Sequence, residues 1–171
     1  MKRRIILVLA VMVFALSGLS AAIEAELSLG ASETGMSINM TAPEDGAFNT
    51  RIEAGLESIV DLYLKKGNGV DILFGTDFSR TFKLGAGYAY KSKISSSSDL
   101  VAAAGPYFIF GNGLEIGVYA RADINLHLTS EFFVKIGTGL DVEFLQFRTG
   151  GTTTDVDILL PLPRVAFGWK L

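Results

Sequence analysis

The sequence predicts an all-β fold: an antiparallel up-and-down transmembrane β-barrel of about eight strands, preceded by a signal peptide. Three observations support this prediction. Apolar and polar residues alternate with a period of two, as in strands with one apolar and one polar face. Several alternating segments run for about 15 residues, which is enough for a tilted strand to cross a membrane. Glycines recur on the polar face, where a narrow barrel interior needs small residues.

The composition narrows the class further. The 171 residues are 49% hydrophobic and 19% charged, with a mean hydropathy of +0.39, which excludes a disordered chain. The chain has no cysteine, so disulfide scaffolds, zinc ribbons, thiol nucleophiles and a lipid-attached cysteine are excluded. After the N-terminal apolar run, no segment approaches the roughly 18 apolar residues of a membrane-spanning helix.

Residues 1–22 are predicted to be a secretory signal peptide. Three basic residues at positions 2–4 precede an uninterrupted apolar run of 12 residues at positions 5–16. Ser20-Ala21-Ala22 supplies the small side chains that a signal peptidase requires. The apolar run is too short to serve as a comfortable membrane anchor. We therefore expect cleavage after Ala22 and a single outer-membrane barrel domain at residues 23–171.

The mature sequence divides into eight predicted strands. The clearest is at residues 114–128, where every even-numbered position is apolar and the odd-numbered positions include Glu115, Arg121 and Asp123. Segments rich in Gly, Asn, Ser and Asp separate the strands and are typical of turns. The predicted strands are residues 23–40, 48–64, 70–78, 82–92, 100–110, 114–128, 131–147 and 156–171.

Three places in this division are irregular. The apolar face of the first strand changes parity at residues 31–35, which predicts a β-bulge or two shorter strands. The last strand contains Pro161 and Pro163, which also require a bulge. Residues 70–90 keep one parity throughout, so they are either one long strand or a hairpin about residues 79–81. We favour the hairpin, because a three-residue loop preserves the parity.

The polar faces are predicted to line the barrel interior, with Ile59 and Phe133 as apolar exceptions. Charges of both signs on successive strands favour an ion-pair network over an open channel. The predicted members of this network are Glu53, Glu57, Lys83, Glu115, Arg121, Asp123, Lys135, Asp141 and Glu143. Alternation is equally compatible with an exported soluble barrel of the lipocalin kind, whose apolar face lines a cavity for a small apolar ligand. Aromatic residues near strand ends, such as Tyr88 and Trp169, favour the membrane alternative.

The last eight residues carry a specific resemblance. Polar Arg164, small Ala166, apolar Phe167, aromatic Trp169 and apolar Leu171 resemble the terminal strand signal of small eight-stranded bacterial outer-membrane barrels, the superfamily around the OmpA transmembrane domain, OmpX and OmpW. Leu171 departs from the terminal aromatic that is usual there. The resemblance implies a location in the outer membrane, contact with its lipid, and recognition by the barrel assembly machinery. It also implies periplasmic termini, with residues 41–47 and 148–155 facing outward.

No catalytic, cofactor or metal site is predicted. His127 is the only histidine, so a multi-histidine metal centre is excluded. Thr129, Ser130 and Glu131 follow it, and some small outer-membrane barrels that deacylate lipid use histidine, serine and glutamate. By parity, however, His127 lies on the interior face near a turn, so a hydrogen-bonded structural histidine is favoured. Asp155 and Asp157 match only a fragment of any calcium-binding pattern.

The predicted function is that of an integral outer-membrane barrel without catalysis. Removing the three basic residues of the signal peptide leaves 12 Lys and Arg against 18 Asp and Glu, a net charge of −6, which disfavours nucleic acid as a partner. The expected role is structural, a contact with external surfaces, or narrow permeation of small molecules, since side chains fill an eight-stranded barrel. The sequence identifies no external ligand. The alternatives are the soluble barrel and, less favoured, a lipid-modifying enzyme.

Overall fold

The computed structural model describes residues 23–39, 48–49, 53–64, 67–77, 81–111, 113–148, 151–154, 156–161 and 163–171. The predicted signal peptide at residues 1–22 and the loop at residues 41–47 lie outside the described residues. Within the described ranges the strands are β1 (Glu24–Asn39), β2 (Phe48–Asn49), β3 (Glu53–Tyr63), β4 (Asn68–Asp77), β5 (Phe82–Lys93), β6 (Ser98–Phe110), β7 (Leu114–His127), β8 (Phe132–Arg148), β9 (Gly151–Thr153), β10 (Asp157–Pro161) and β11 (Arg164–Lys170).

These strands form a closed antiparallel barrel, which confirms the predicted fold. Going round the wall, β3 to β8 pair in chain order, β8 pairs with β11, β11 pairs with β1, and β1 pairs with β3 to close the ring. β2 and β3 occupy one position of the barrel. β9, β10 and β11 occupy another, because all three pair antiparallel with β8. The barrel therefore has eight strands. No helix in the described ranges is long and apolar enough to cross a membrane.

The structure shows the predicted strand irregularities at the predicted positions. The register of β1 shifts between Thr34 and Met36, which confirms the bulge in the first strand. The last strand is divided into β10 and β11 at its prolines. β4 and β5 pair as a hairpin, with Thr76 opposite Phe82, so residues 70–90 are two strands. An additional bulge in β8, opposite Ile116 and Gly117, was not predicted.

Apolar side chains project outward and charged side chains project inward. Every strand position of the barrel contributes exposed apolar residues to the outer surface, for example Leu29, Leu56, Val70, Leu84, Leu100, Val118, Ile136 and Val165. Asp61 and Lys135, in contrast, are buried in the lumen. The two predicted exceptions, Ile59 and Phe133, are buried with them. The polar face of each strand therefore lines the interior of the barrel.

Glycine is required where the interior is crowded. A Cβ at Gly168 would meet the ring of Phe133, and a Cβ at Gly137 would meet the carboxylate of Asp123. The two ends of the barrel differ in what they carry. We call the end with both described chain termini, Leu64, Gly67 and residues 94–97 and 128–131 the terminal end, and the opposite end the loop end. At the terminal end, the Leu171 N–H donates to the Ala25 carbonyl at 2.9 Å.

Candidate functional site: the charged interior

The centre of the barrel interior is built around Arg121. Its guanidinium on β7 contacts Asp61 on β3 at 2.6 Å, and it also pairs with Asp71 on β4 and with Asp123 two residues further along β7. The side chain of Arg121 is 2% exposed and those of the three aspartates are 0% exposed. One cation therefore joins three carboxylates that come from three strands.

Two further cations extend this central network to five strands. Lys135 on β8 pairs with Asp61 at 2.7 Å. Arg164 on β11 pairs with Asp123 at 2.8 Å and with Glu57 of β3 at 2.5 Å. These pairs link residues from 41 to 107 positions apart in the chain. The central network, defined as these three cations with Asp61, Asp71, Asp123 and Glu57, thus connects opposite sides of the wall.

Pairing is what makes these buried charges tolerable. A charge removed from water is costly unless an opposite charge and hydrogen bonds replace the lost solvation. Within the described ranges, Arg121 pairs with three carboxylates, Arg164 with two and Lys135 with one. The hydroxyl of Tyr119 also donates to Asp71. The Arg121 Nε is buried without a hydrogen-bond partner among the described residues.

A second charged layer lies nearer the loop end. Lys83 on β5 pairs with Asp141 on β8, and its ammonium group lies 4.2 Å from the ring centroid of Tyr107. The hydroxyl of the fully buried Tyr107 donates to Glu143 at 3.3 Å. Glu115 lies further toward the loop end, opposite Gln146. We call Lys83, Asp141, Tyr107 and Glu143 the loop-end layer.

A third layer lies near the terminal end. The buried Glu26 accepts hydrogen bonds from Asn125 at 2.9 Å and from Lys91 at 3.2 Å. The Lys91 ammonium also lies 4.3 Å from the ring centroid of Tyr63. Closer to the terminal end, His127 Nε2 lies 2.7 Å from the carboxylate of Asp99. Polar and aromatic side chains thus occupy the interior from one end to the other.

Comparison with known proteins identifies the architecture. No protein-family model and no curated protein sequence matches the chain. Among solved structures, Neisserial surface protein A superposes with a TM-score of 0.56 at 8% identity, over 88% of this chain and 98% of that one. The fold is that of the small outer-membrane β-barrels. Ail, the attachment invasion locus protein of Yersinia pestis, gives a TM-score of 0.57 at 11% identity over 86% and 98% of the two chains. A de novo designed transmembrane β-barrel gives 0.54 at 10% identity over 90% and 98%.

In this outer-membrane-type barrel, the sequence-predicted interior residues separate into two groups. Four of them, Glu57, Arg121, Asp123 and Lys135, belong to the central network. Lys83, Asp141 and Glu143 belong to the loop-end layer, and Glu115 lies beyond it. Glu53 begins β3 opposite Thr34, and its side chain lies outside the described residues.

The prediction omitted several members of the interior. Asp61, Asp71, Glu26 and Lys91 are absent from the predicted set, although each faces the lumen. The signal for Asp61 and Asp71 was present in the sequence, since both lie between apolar residues at the parity of the predicted polar face.

The C-terminal strand of the barrel has two faces. Phe167, Trp169 and Leu171 project outward, where the Phe132 ring lies 6.1 Å from that of Phe167 and 5.5 Å from that of Trp169. Ala166 is buried in the interior, and Arg164 enters the central network. Arg164, predicted only as part of the assembly signal, therefore also contributes to the ion pairs inside the barrel.

His127 lies on the interior face, as parity indicated. Its Nε2 faces Asp99, its ring meets the edge of Phe133 at 6.1 Å, and its Nδ1 is buried without a partner among the described residues. The hydroxyl of Thr129 accepts the Phe132 N–H at 2.9 Å, which stabilises the turn. The described ranges contain no group of three or more Asp, Glu or His residues arranged to hold a metal. Asp155 lies outside them.

Proposed function

We propose that the chain is an integral protein of the bacterial outer membrane whose closed barrel has a structural role rather than serving as a general diffusion pore. The observation that carries this proposal is the central network, in which Arg121 joins carboxylates of β3, β4 and β7 while its side chain is 2% exposed. A water-filled channel leaves such side chains solvated. No catalytic step is proposed, because His127 is directed at Asp99 inside the barrel.

The outer surface supports placement in lipid. On β8, the outward residues from Phe132 to Phe144 are apolar except Thr138. Twelve residues of strand at a tilt of about 40° rise about 30 Å, which is enough to cross the apolar band of about 25 Å on an outer-membrane barrel. Aromatic rings project outward toward both ends of the barrel, with Trp169 near the terminal end and Phe110 near the loop end. These are the positions of interfacial girdles.

The soluble alternative requires the opposite arrangement. A lipocalin-like barrel lines its interior with apolar residues and gives its polar face to water. Here the paired charges of Asp61 and Lys135 are inside, while Leu84, Val118 and Val165 are outside. A charged interior of this kind is unsuited to an apolar ligand.

Two steps of assembly follow from the proposed location. The outward face of β11, with Phe167 and Trp169, is the part of the chain that the barrel assembly machinery is proposed to read before insertion. After insertion, the same face contacts outer-membrane lipid. Contact of the loops with external surfaces is a further role that the resemblance to Ail-type barrels suggests, and no external ligand is proposed.

The test is fractionation of cells that express the full chain, followed by gel electrophoresis with and without boiling and by planar-bilayer recordings. We expect a heat-modifiable band from the outer membrane and no stable conductance steps. Stable small conductance steps would instead indicate narrow permeation of small molecules and would overturn the sealed barrel. Recovery from the soluble periplasmic fraction without detergent would overturn the membrane location.

A pair of variants separates the membrane and soluble alternatives. Val118 projects outward in the middle of β7. Val118→Lys is expected to reduce the stability of the inserted barrel by about 2–4 kcal/mol, because a lysine in the hydrocarbon region is costly. Val118→Leu is the control and should insert normally. If both variants fold equally well, Val118 is in water and the proposal fails.

A further inference from the structure

The hydrogen-bonded ladder between β5 and β6 is interrupted in the middle of the barrel wall. Cross-strand bridges join Gly85 to Tyr107 and Tyr88 to Ala104, but none joins the two residues that lie between them on either strand. The register is the same before and after this gap, so the gap is not a β-bulge. The strands remain side by side while part of the ladder is lost.

The cause is Pro106. In this register Pro106 lies opposite Ala86, and the Ala86 carbonyl is directed at β6, since its oxygen is the first atom that a Cβ at Gly105 would meet. Proline has no N–H to donate to that carbonyl. In the hydrocarbon region no water replaces the lost donor, so this interruption costs more than it would in a soluble sheet.

Little side-chain packing compensates for the missing bond. The outward residues at the gap are Ala86 and Pro106, and the inward residues are Gly87 and Gly105. On the inside, Tyr119 of β7 covers the gap, with its hydroxyl 2.7 Å from the position of a Cβ at Gly87. The wall is therefore thin on its outer face, and a single side chain, that of Tyr119, covers its inner face.

We propose that this β5–β6 seam, defined by Ala86, Gly87, Gly105 and Pro106, is the place where the barrel wall opens laterally toward lipid. The other edge of β6 provides the contrast, since its ladder with β7 runs without a gap from Ser98 to Phe110. β6 remains attached to β7 when the seam opens. The opening joins the lipid phase to the interior at the level of Tyr119.

Residue-resolved hydrogen exchange on the full chain, refolded in lipid nanodiscs, tests this seam. Amides of an antiparallel strand point alternately to its two neighbours. The Ala104 carbonyl points to β5, so the Ala104 amide reports on the seam and the Gly105 amide reports on the β6–β7 ladder. We expect exchange at Ala104 to be at least about tenfold faster than at Gly105, because amides exchange through local opening. Equal rates at the two amides in the natural chain would overturn the proposal.

A variant that restores the missing backbone N–H at position 106 provides a second test. Pro106→Val supplies an N–H for Ala86 and keeps an apolar outward side chain, so exchange at Ala104 should slow to within about threefold of Gly105. Ala102→Val is the matched control, because it places the same branched side chain on the outward face of β6 without adding a donor. Unchanged exchange in Pro106→Val, or equal slowing in the control, contradicts the role of Pro106.

Discussion

The central network and the loop-end layer are built from the same kinds of residue but differ in burial. In the centre, the side chains of Lys135 and Asp61 are both 0% exposed. In the loop-end layer, the side chains of Lys83 and Asp141 are 20% and 19% exposed. Each region contains ion pairs between different strands. Of these two pairs, only the central one is cut off from water.

This difference changes what an ion pair contributes. A partly solvated pair gains little, because water already stabilises each charge. A buried pair gains little net energy relative to apolar packing, but removal of one partner leaves an uncompensated charge. We infer that the centre holds the barrel closed through interdependent charges, while the loop-end layer tolerates change.

Loss of Arg121 is expected to have the largest effect. Arg121→Met leaves Asp61, Asp71 and Asp123 without their shared cation, and should lower the free energy of unfolding by about 3–5 kcal/mol. Urea unfolding of the barrel in lipid vesicles measures this, with fluorescence of Trp169, the single tryptophan, as the signal.

The control for this prediction is Arg121→Lys. It retains one charge but cannot reach three carboxylates with a planar guanidinium, so an intermediate loss is expected. If Arg121→Met costs less than about 1 kcal/mol, the central network is not the element that couples the strands.

The next largest effect is expected from a single methyl group added to an interior glycine. Adding it in each region compares how tightly the two regions are packed. In Gly137→Ala, the new Cβ meets the Asp123 carboxylate and lies 2.5 Å from the Ala122 carbonyl oxygen. We expect a loss of about 1–3 kcal/mol, as for overpacking of a close-packed core.

Gly75→Ala is the matched variant near the loop-end layer. There the nearest atom to a new Cβ is the Lys83 Cβ at 3.4 Å, an ordinary contact. A change within about 0.5 kcal/mol of zero is expected, since reduced freedom of the unfolded chain offsets small adjustments. Equal losses at the two glycines would show that the two regions are equally crowded.

The sequence was sufficient for the strands and their faces because both depend on local parity. Ile59 and Phe133 were recognised as interior exceptions because they break an alternation that surrounds them. The bulge in β8 was not predicted, because Phe144, Leu145 and Phe147 are apolar at both parities and hide the change of face. A pattern of period two carries no signal where both faces are apolar.

The partners within the interior could not be predicted in the same way. Contacts such as Arg164 with Glu57, 107 residues apart, depend on how the strands stagger when the barrel closes. No local pattern contains that stagger. The sequence therefore indicated which residues face the lumen and left open which carboxylate each cation meets.

Of the two charge removals, the smaller effect is expected at Lys83, and it completes the comparison. Lys83→Met removes the partner of Asp141, but that carboxylate keeps part of its contact with water. We expect a loss of about 1 kcal/mol or less, because the pair is only partly desolvated. Salt distinguishes this region from the centre, since screening acts on solvated charges far more than on buried ones. Raising NaCl from 0.1 to 1 M, as an experimental range of about tenfold, should shrink the Lys83→Met difference and leave that of Arg121→Met nearly unchanged. A Lys83→Met loss as large as that of Arg121→Met, and equally insensitive to salt, would mean that the loop-end layer is as sealed as the centre.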